Sequence, residues 1–249
     1  MFRRSRAAVL AVAAALICTA LGATARAETP SIVMQAAQLA FYARNAEELR
    51  RLAATTSAWA GSADSLELYA HAYVQFRALQ LAIGAKRKAE AEKSGAACVG
   101  ALDGAVKKNA KFAEAFALQS ACYGYLANLG GFGAIRNGSR SGKSIAPALA
   151  LEPKNPRVVL VDGFGVYFRP AFVGGDKAKG CARFREAAAL FDVPGPRTAL
   201  DGIDWGAAEA RYWAGRCAAD AGDAAGARRY YEAALALAPQ FAAARTALK

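Results

Sequence analysis

Histidine is nearly absent from this sequence, which restricts the chemistry available to it. The 249 residues include one histidine, two methionines and no Cys-x-x-Cys pair. A nucleophile activated by an imidazole would have to use His71, which falls inside a predicted helix, and the chain has no nucleophile elbow. A zinc site would need several closely spaced Cys and His ligands. We therefore predict a protein that is not an enzyme and holds no cofactor or metal, with His71 as a packing or surface residue.

A nucleotide-binding loop is also missing, although one segment comes close to it. The segment Gly138–Ser144 has the sequence GSRSGKS, but three residues separate Gly138 from Gly142 where the phosphate-binding motif needs four. Asn137 stands where the first glycine belongs, and glycines interrupt the segment where a buried strand should precede the motif. We predict a long turn that ends at a helix start, a place where a small anion could bind.

Long apolar runs are confined to the N-terminus. Three arginines within the first six residues precede an uncharged, mostly apolar run over 7–25, and residues 25–27 are Ala-Arg-Ala, a small-x-small cleavage site. Residues 1–27 are therefore predicted to be a secretory signal peptide that is cut after Ala27. This predicts a periplasmic or secreted protein, with no stable membrane insertion after cleavage.

Two alternatives for this N-terminus remain open. The run could be a retained membrane anchor, although its many alanines make it a weak span. It could also belong to a lipoprotein with the lipid on Cys18, although Ile17 stands where such signals have a small residue.

Acidic residues are fewer than basic ones. The formal net charge is +12, and the predicted signal peptide removes four of the 32 basic residues and none of the 20 acidic ones, which leaves +8. A basic balance favours acidic proteins, anionic headgroups or polyanions as partners, or it indicates only a solvated basic surface. Nucleic acid is not expected as a partner outside the cytoplasm.

The last 42 residues carry a pattern that is typical of paired antiparallel helices. Counted from Ala208, small residues stand where two helices approach, a large aromatic fills the space between them, and a proline stops the second helix. Positions 8, 15, 20, 24, 27 and 32 are Gly215, Gly222, Ala227, Tyr231, Ala234 and Pro239. In this spacing the chain resembles the tetratricopeptide repeat (TPR).

The resemblance implies an all-α fold, a right-handed α-solenoid of about four helical hairpins. Residues 28–65 are expected to form a degenerate N-terminal hairpin or cap with a break near Asn45. Pro147 is expected to kink or shorten the second helix of its unit. The repeats themselves are expected at 66–110, 113–153, 156–191 and 205–249.

Two turns of the repeats are longer than the standard TPR turn. They cover residues 127–142 and 168–175 and contain Phe132, Ile135 and Phe172. Both should lie at the same edge of the stack, where insertions often form a second binding surface. They could instead fold back and cap the groove.

Four cysteines follow residue 27, and four cysteines allow three pairings. In the TPR frame, Cys98 and Cys181 fall on second helices, and Cys122 and Cys217 fall on the first helices that pack against them. The resemblance therefore implies the disulfides Cys98–Cys122 and Cys181–Cys217 in an oxidising compartment. Four buried thiols are the alternative.

The first helices of such repeats line a concave groove that commonly binds a partner. Carried onto this chain, the groove positions mix aromatic and arginine side chains, as recognition surfaces often do; packing with scattered surface charge is the alternative. The candidates are Arg77, Tyr125, Arg157, Phe164, Tyr167, Tyr212 and Arg216. The resemblance implies an exported, non-catalytic scaffold or adaptor that binds a protein or peptide. The alternative is a small-ligand-binding accessory protein of a solute transport system.

Overall fold

Eleven α-helices account for most of the chain in the computed structural model, which describes residues 29–194 and 205–249. Two short 3-10 turns (Thr56–Gly61 and Ala171–Val173) join them, and the described residues contain no strand. The predicted signal peptide at 1–27 lies outside the described residues. The helices are α1 Pro30–Tyr42, α2 Ala46–Thr55, α3 Ser65–Gly84, α4 Lys88–Lys108, α5 Ala113–Asn128, α6 Ala134–Leu151, α7 Pro156–Phe168, α8 Lys177–Phe191, α9 Ala207–Asp220, α10 Ala224–Leu237 and α11 Ala242–Ala247.

Short polar side chains set where several helices begin. Asn45 stands at the break expected after α1, and its Oδ1 accepts the backbone N–H of Glu48 at 3.0 Å. Asp64 accepts the N–H of Leu66 at 2.8 Å, and Asp176 accepts that of Lys179 at 3.0 Å. Each cap satisfies a backbone donor that has no partner within the helix.

The helices pack as consecutive antiparallel pairs, because small residues let the two helices of a pair approach closely. A Cβ added to Gly215 would lie 2.7 Å from the Tyr231 ring, and one added to Gly180 would lie 2.8 Å from the Cα of Tyr167. The predicted fold class is confirmed: the chain is an all-α solenoid of helical hairpins, α1–α2 followed by α3–α4, α5–α6, α7–α8 and α9–α10.

The turn predicted over 127–142 is shorter than expected. Helix α6 begins at Ala134, so the segment Gly138–Ser144 is helical and is not a turn. Ser141 and Ser144 are buried against α5, with Ser144 Oγ donating to Gln119 Oε1 at 2.7 Å. Ser141 and Ser144 are three residues apart, as expected for one face of a helix. A prediction based on glycines and turn residues does not detect this spacing.

Pro147 does not end helix α6, which continues to Leu151. A proline removes one backbone donor, and the carbonyl left without it belongs to the solvent-exposed Lys143. Water at that position can replace the missing partner, so the helix tolerates Pro147.

Two disulfides join neighbouring hairpins. Cys98 on α4 is bonded to Cys122 on α5, and Cys181 on α8 is bonded to Cys217 on α9. The paired Cα atoms are 6.5 Å and 5.7 Å apart, within the range that disulfides need. The pairing is the one that the TPR frame implies, with a second helix joined to the following first helix each time.

The two ends of the stack meet. The ring of Tyr42, at the end of α1, lies 4.4 Å from that of Phe241, which precedes α11. Trp205, just before α9, is buried 5.6 Å from the ring of Tyr73 on α3. The first and last hairpins therefore enclose the inner side of the stack between them.

Candidate functional site

A buried ion pair lies where the two ends of the stack meet. Arg77 on α3 contacts Glu209 on α9, and only 2% of the first and 5% of the second is exposed. Gln38 Nε2 donates to Glu209 Oε1 at 3.1 Å, and the Tyr42 hydroxyl donates to the same carboxylate. The Tyr73 hydroxyl accepts from Arg77 Nε at 2.9 Å. We call these five residues the central network.

The central network shifts the pKa values of Arg77 and Glu209 toward their ionised forms. Burial by itself would raise the pKa of Glu209, but the charge of Arg77 and the hydrogen bonds from Tyr42 and Gln38 lower it below its ordinary value. Burial likewise would lower the pKa of Arg77, but Tyr73 and Glu209 raise it. Burial raises the pKa of Tyr42 well above its ordinary value. These shifts favour the ionised pair and the neutral tyrosines, so loss of either charged partner would leave the other buried without compensation.

A second buried ion pair supports the neighbouring hairpins. Arg157 Nη1 on α7 donates to Glu114 Oε1 on α5 at 2.9 Å, and Arg157 Nε donates to the carbonyl of Trp205 at 3.1 Å. The hydrogen bond to Trp205 thus holds the backbone in place just before α9 begins.

Arg77 and Arg157 were predicted to line a groove, and the structure places both inside the protein. Their repeat positions do face the inner side of the stack, but Glu209 of the last hairpin covers Arg77, and Glu114 and Trp205 of the neighbouring hairpins cover Arg157. A partner could reach either guanidinium only by displacing Glu209 or Glu114. No local pattern indicates this burial, because Gln38, Glu114 and Glu209 are remote in sequence from the arginines that they contact.

Four of the other groove candidates lie together on an aromatic surface. The ring of Trp213 lies 5.5 Å from Phe164, 5.9 Å from Tyr167, 5.2 Å from Phe168 and 5.6 Å from Tyr212. The Arg216 guanidinium lies 5.7 Å from the Trp213 ring. We call these six residues on α7 and α9 the aromatic rim, composed of Phe164, Tyr167, Phe168, Tyr212, Trp213 and Arg216.

The side chains of the aromatic rim are partly exposed, and hydrogen bonds orient three of them. All six are partly exposed, with Phe168 the most open at 48%. Arg216 Nη1 donates to the Tyr212 hydroxyl at 3.3 Å, and this bond raises the pKa of Arg216. The Tyr167 hydroxyl donates to Asp220 at 3.2 Å. The aromatic rim therefore presents part of each ring, together with the Arg216 guanidinium, to solvent while most of these rings pack against the core.

Tyr125 is the groove candidate that stands apart from the aromatic rim. Its hydroxyl accepts from Gln80 Nε2 at 2.9 Å, and its ring lies 5.7 Å from that of Phe76. Trp213 is the central aromatic-rim residue that the repeat frame did not select. Its spacing from Glu209 and Arg216 on one helix face could have indicated it.

His71 belongs to neither cluster. It is buried, with Nδ1 2.8 Å from Thr56 Oγ1, and burial lowers its pKa. Across residues 29–194 and 205–249 no group of acidic, histidine or cysteine side chains has the arrangement that a metal ion needs. In the same ranges, none of the helices combines the length and apolarity that a membrane span requires.

The fold resembles two solved structures, although the sequence matches no protein-family model and no curated protein. The HusA haemophore from Porphyromonas gingivalis is 22% identical with a TM-score of 0.60, and the match covers 78% of this chain and 96% of that one. A thermophilic TPR protein from Thermus thermophilus is 15% identical with a TM-score of 0.50, over 80% and 88% of the two chains. At such identities the likeness concerns the fold alone.

Proposed function

We propose that this chain is an exported, non-catalytic binding protein that holds a flat, largely apolar and anionic small molecule against the aromatic rim. The observation that carries the proposal is the convergence of four aromatic rings on Trp213 with the Arg216 guanidinium beside it. Aromatic faces provide apolar contact area at a small entropic cost, and a guanidinium provides charge complementarity.

The closed inner side of the stack favours a small ligand over an extended peptide. A peptide bound along a TPR groove needs a continuous row of accessible first-helix side chains. Here the central network and Trp205 fill that row between α3 and α9. The six residues of the aromatic rim stay partly exposed.

A metalloporphyrin is a ligand of this class, and one of the similar structures is a haemophore. Its macrocycle would stack on the rings of the aromatic rim, and its carboxylates would contact Arg216. His71 is buried elsewhere, so an iron porphyrin would be held here by stacking and charge, or by a tyrosine oxygen from Tyr167 or Tyr212.

The test is a titration of the lipid-free protein with haemin, followed by the porphyrin absorption band and by quenching of tryptophan fluorescence. Wild type should bind in the micromolar range or tighter, and Phe168→Ala combined with Arg216→Gln should weaken binding by about tenfold or more. Phe132→Ser, which removes an exposed ring outside the aromatic rim, is the matched control and should leave the affinity unchanged. Equal affinities for all three proteins would refute the proposed site.

A protein or peptide partner is the second candidate, favoured by the fold's likeness to a TPR protein. In-cell crosslinking of the tagged protein, with mass spectrometry of the whole eluate, separates the two candidates. A polypeptide that is captured by wild type and lost from Trp213→Ala would support a protein partner. Capture of a small chromophore alone would support the ligand-binding function.

A further inference from the structure

The loops at one edge of the stack present large apolar side chains entirely to solvent. Phe132 has a relative exposure of 110%, Phe172 of 89% and Ile135 of 88%, and Val173 is also exposed. All four follow the first helix of a hairpin, α5 or α7, and these two helices pack side by side in the same direction. We call this surface the loop edge. It consists of the residues between the two helices of each hairpin and of the first turns of α6 and α8, that is, 43–45, 85–87, 129–137, 169–180 and 221–223.

Glycines allow the backbone conformation of the turns that carry these side chains. Gly130 and Gly131, directly before Phe132, have φ of 76° and 74°, which disfavours any residue with a side chain. Gly174 has φ of 88°, and a Cβ on Gly175 would lie 1.7 Å from the carbonyl oxygen of Arg169. Both turns thus depend on glycine, and the rings of Phe132 and Phe172 next to these glycines are exposed.

Basic side chains are exposed at the same edge of the stack as the projecting rings. Arg44 and Lys86 are exposed in the loops of the first two hairpins, and Arg136 and Lys177 are exposed in the first turns of α6 and α8. No acidic residue occurs between Glu114 and Glu152, a stretch that includes the Phe132 loop.

The acidic side chains at the loop edge already have contacts. Asp176 caps α8 and lies 3.6 Å from Lys179, and Asp223 caps α10, where it accepts the N–H of Gly226 at 2.7 Å. Both keep their negative charge, but the basic residues of the loop edge outnumber them and leave it an excess of positive charge: Arg44, Lys86, Arg87, Arg136, Arg169, Lys177 and Lys179.

We propose that the loop edge docks the protein peripherally on a membrane surface rich in anionic lipids. Separate apolar tips on an edge that also exposes cations suit a fluid interface, which receives each tip without a preformed complementary pocket. Phe132 and Phe172 enter the boundary between headgroups and acyl chains, and Arg44, Lys86, Arg136 and Lys177 contact lipid phosphates. Phe168 of the aromatic rim directly precedes the second loop, so docking brings the proposed ligand site close to the membrane surface.

The experiment measures co-sedimentation of the chain from Glu28 to Lys249, without haemin, with vesicles of phosphatidylcholine alone or mixed with phosphatidylglycerol. Starting at Glu28 excludes the apolar run over 7–25 and keeps every described element. The protein should bind the mixed vesicles, bind pure phosphatidylcholine far more weakly, and dissociate as salt is raised. Absence of binding to the mixed vesicles at low salt would overturn the proposal.

Two pairs of variants test the surface itself. Phe132→Ser with Phe172→Ser should weaken vesicle binding by about a hundredfold, whereas Leu151→Ser with Leu237→Ser, at the opposite edge, should not. Arg136→Gln with Lys177→Gln should weaken binding by about twentyfold. Lys107→Gln with Lys154→Gln, which changes the net charge equally at the opposite edge, should have a much smaller effect.

Equal losses from the loop variants and their controls would show that binding is not at the loop edge and would overturn the proposal. Circular dichroism verifies that each variant is folded. Because this assay contains no porphyrin and the haemin titration contains no lipid, either proposal can fail alone. A polypeptide crosslinked through Phe132 in a protein that does not bind vesicles would assign the loop edge to a protein partner instead.

Discussion

Arg77 and Glu209 are 132 positions apart in the sequence and form a buried ion pair at the junction of the first and last hairpins. Removing one partner leaves the other charge buried and uncompensated, which is far more costly than losing the attraction between them. The pair therefore keeps the two ends of the stack together.

The Arg77 to Glu209 contact predicts a large effect of a single substitution. Arg77→Met should lower the free energy of unfolding by about 3–5 kcal/mol in a urea titration. Arg228→Met breaks an exposed pair with Glu232 on α10 and should cost no more than about 0.5 kcal/mol. Similar losses from both variants would mean that the Arg77 pair is not buried as described.

Acid should weaken the fold through Glu209. Its pKa is lower in the folded protein than its ordinary value of 4.5, so its contribution is complete above that value and is lost as the pH falls through the folded pKa. The free energy of unfolding should therefore drop as the pH falls below about 4.5. Glu209→Gln should reduce this dependence in urea titrations at a series of pH values, whereas Glu232→Gln should leave it nearly unchanged.

The two disulfides should stabilise the fold mainly by restricting the unfolded chain. They close segments with sequence separations of 24 and 36, for which chain entropy predicts about 3–4 kcal/mol each. The variant Cys98→Ser with Cys122→Ser should unfold at a correspondingly lower urea concentration. Thiol titration of the unreduced protein in denaturant should find none of the four cysteines free, and four free thiols would contradict the assignment.

Two glycine substitutions distinguish close helix packing from open helix surface. Gly180→Ala places a methyl group 2.8 Å from the Cα of Tyr167 and should lower stability by about 1–3 kcal/mol. Gly138→Ala meets nothing within 4 Å and lies inside α6, so it should raise stability by about 0.5–1 kcal/mol. A destabilising Gly138→Ala would argue that the segment is a turn after all. Thermal unfolding measures both.

Export can be tested directly at the N-terminus of the protein. If residues 1–27 are a cleaved signal peptide, the protein recovered from a periplasmic fraction should begin at Glu28. A protein that begins at Met1 and stays with the membrane fraction would favour a retained anchor. A protein that begins at Cys18 and carries a lipid would establish the lipoprotein alternative.

Local patterns in the sequence were sufficient for most of the helices and for their pairing into hairpins. Gly215 and Tyr231 stand at positions where a small and a large residue face each other, and the structure places the tyrosine ring against the glycine. The cysteine pairing followed from the same frame. Such features depend on neighbours within one or two hairpins, which a periodic pattern encodes.

Which residues fill the inner side of the stack depends on tertiary structure alone. Arg77 and Arg157 occupy groove positions in the repeat frame, yet Glu209 from the last hairpin buries Arg77, and Glu114 from the adjacent hairpin buries Arg157. The segment at 138–144 is helical because Ser141 and Ser144 pack against α5, a contact that glycine content conceals. A repeat pattern predicts which face of a helix points to the inner side of the stack. The residues that this face contacts depend on the small rotations added between successive hairpins.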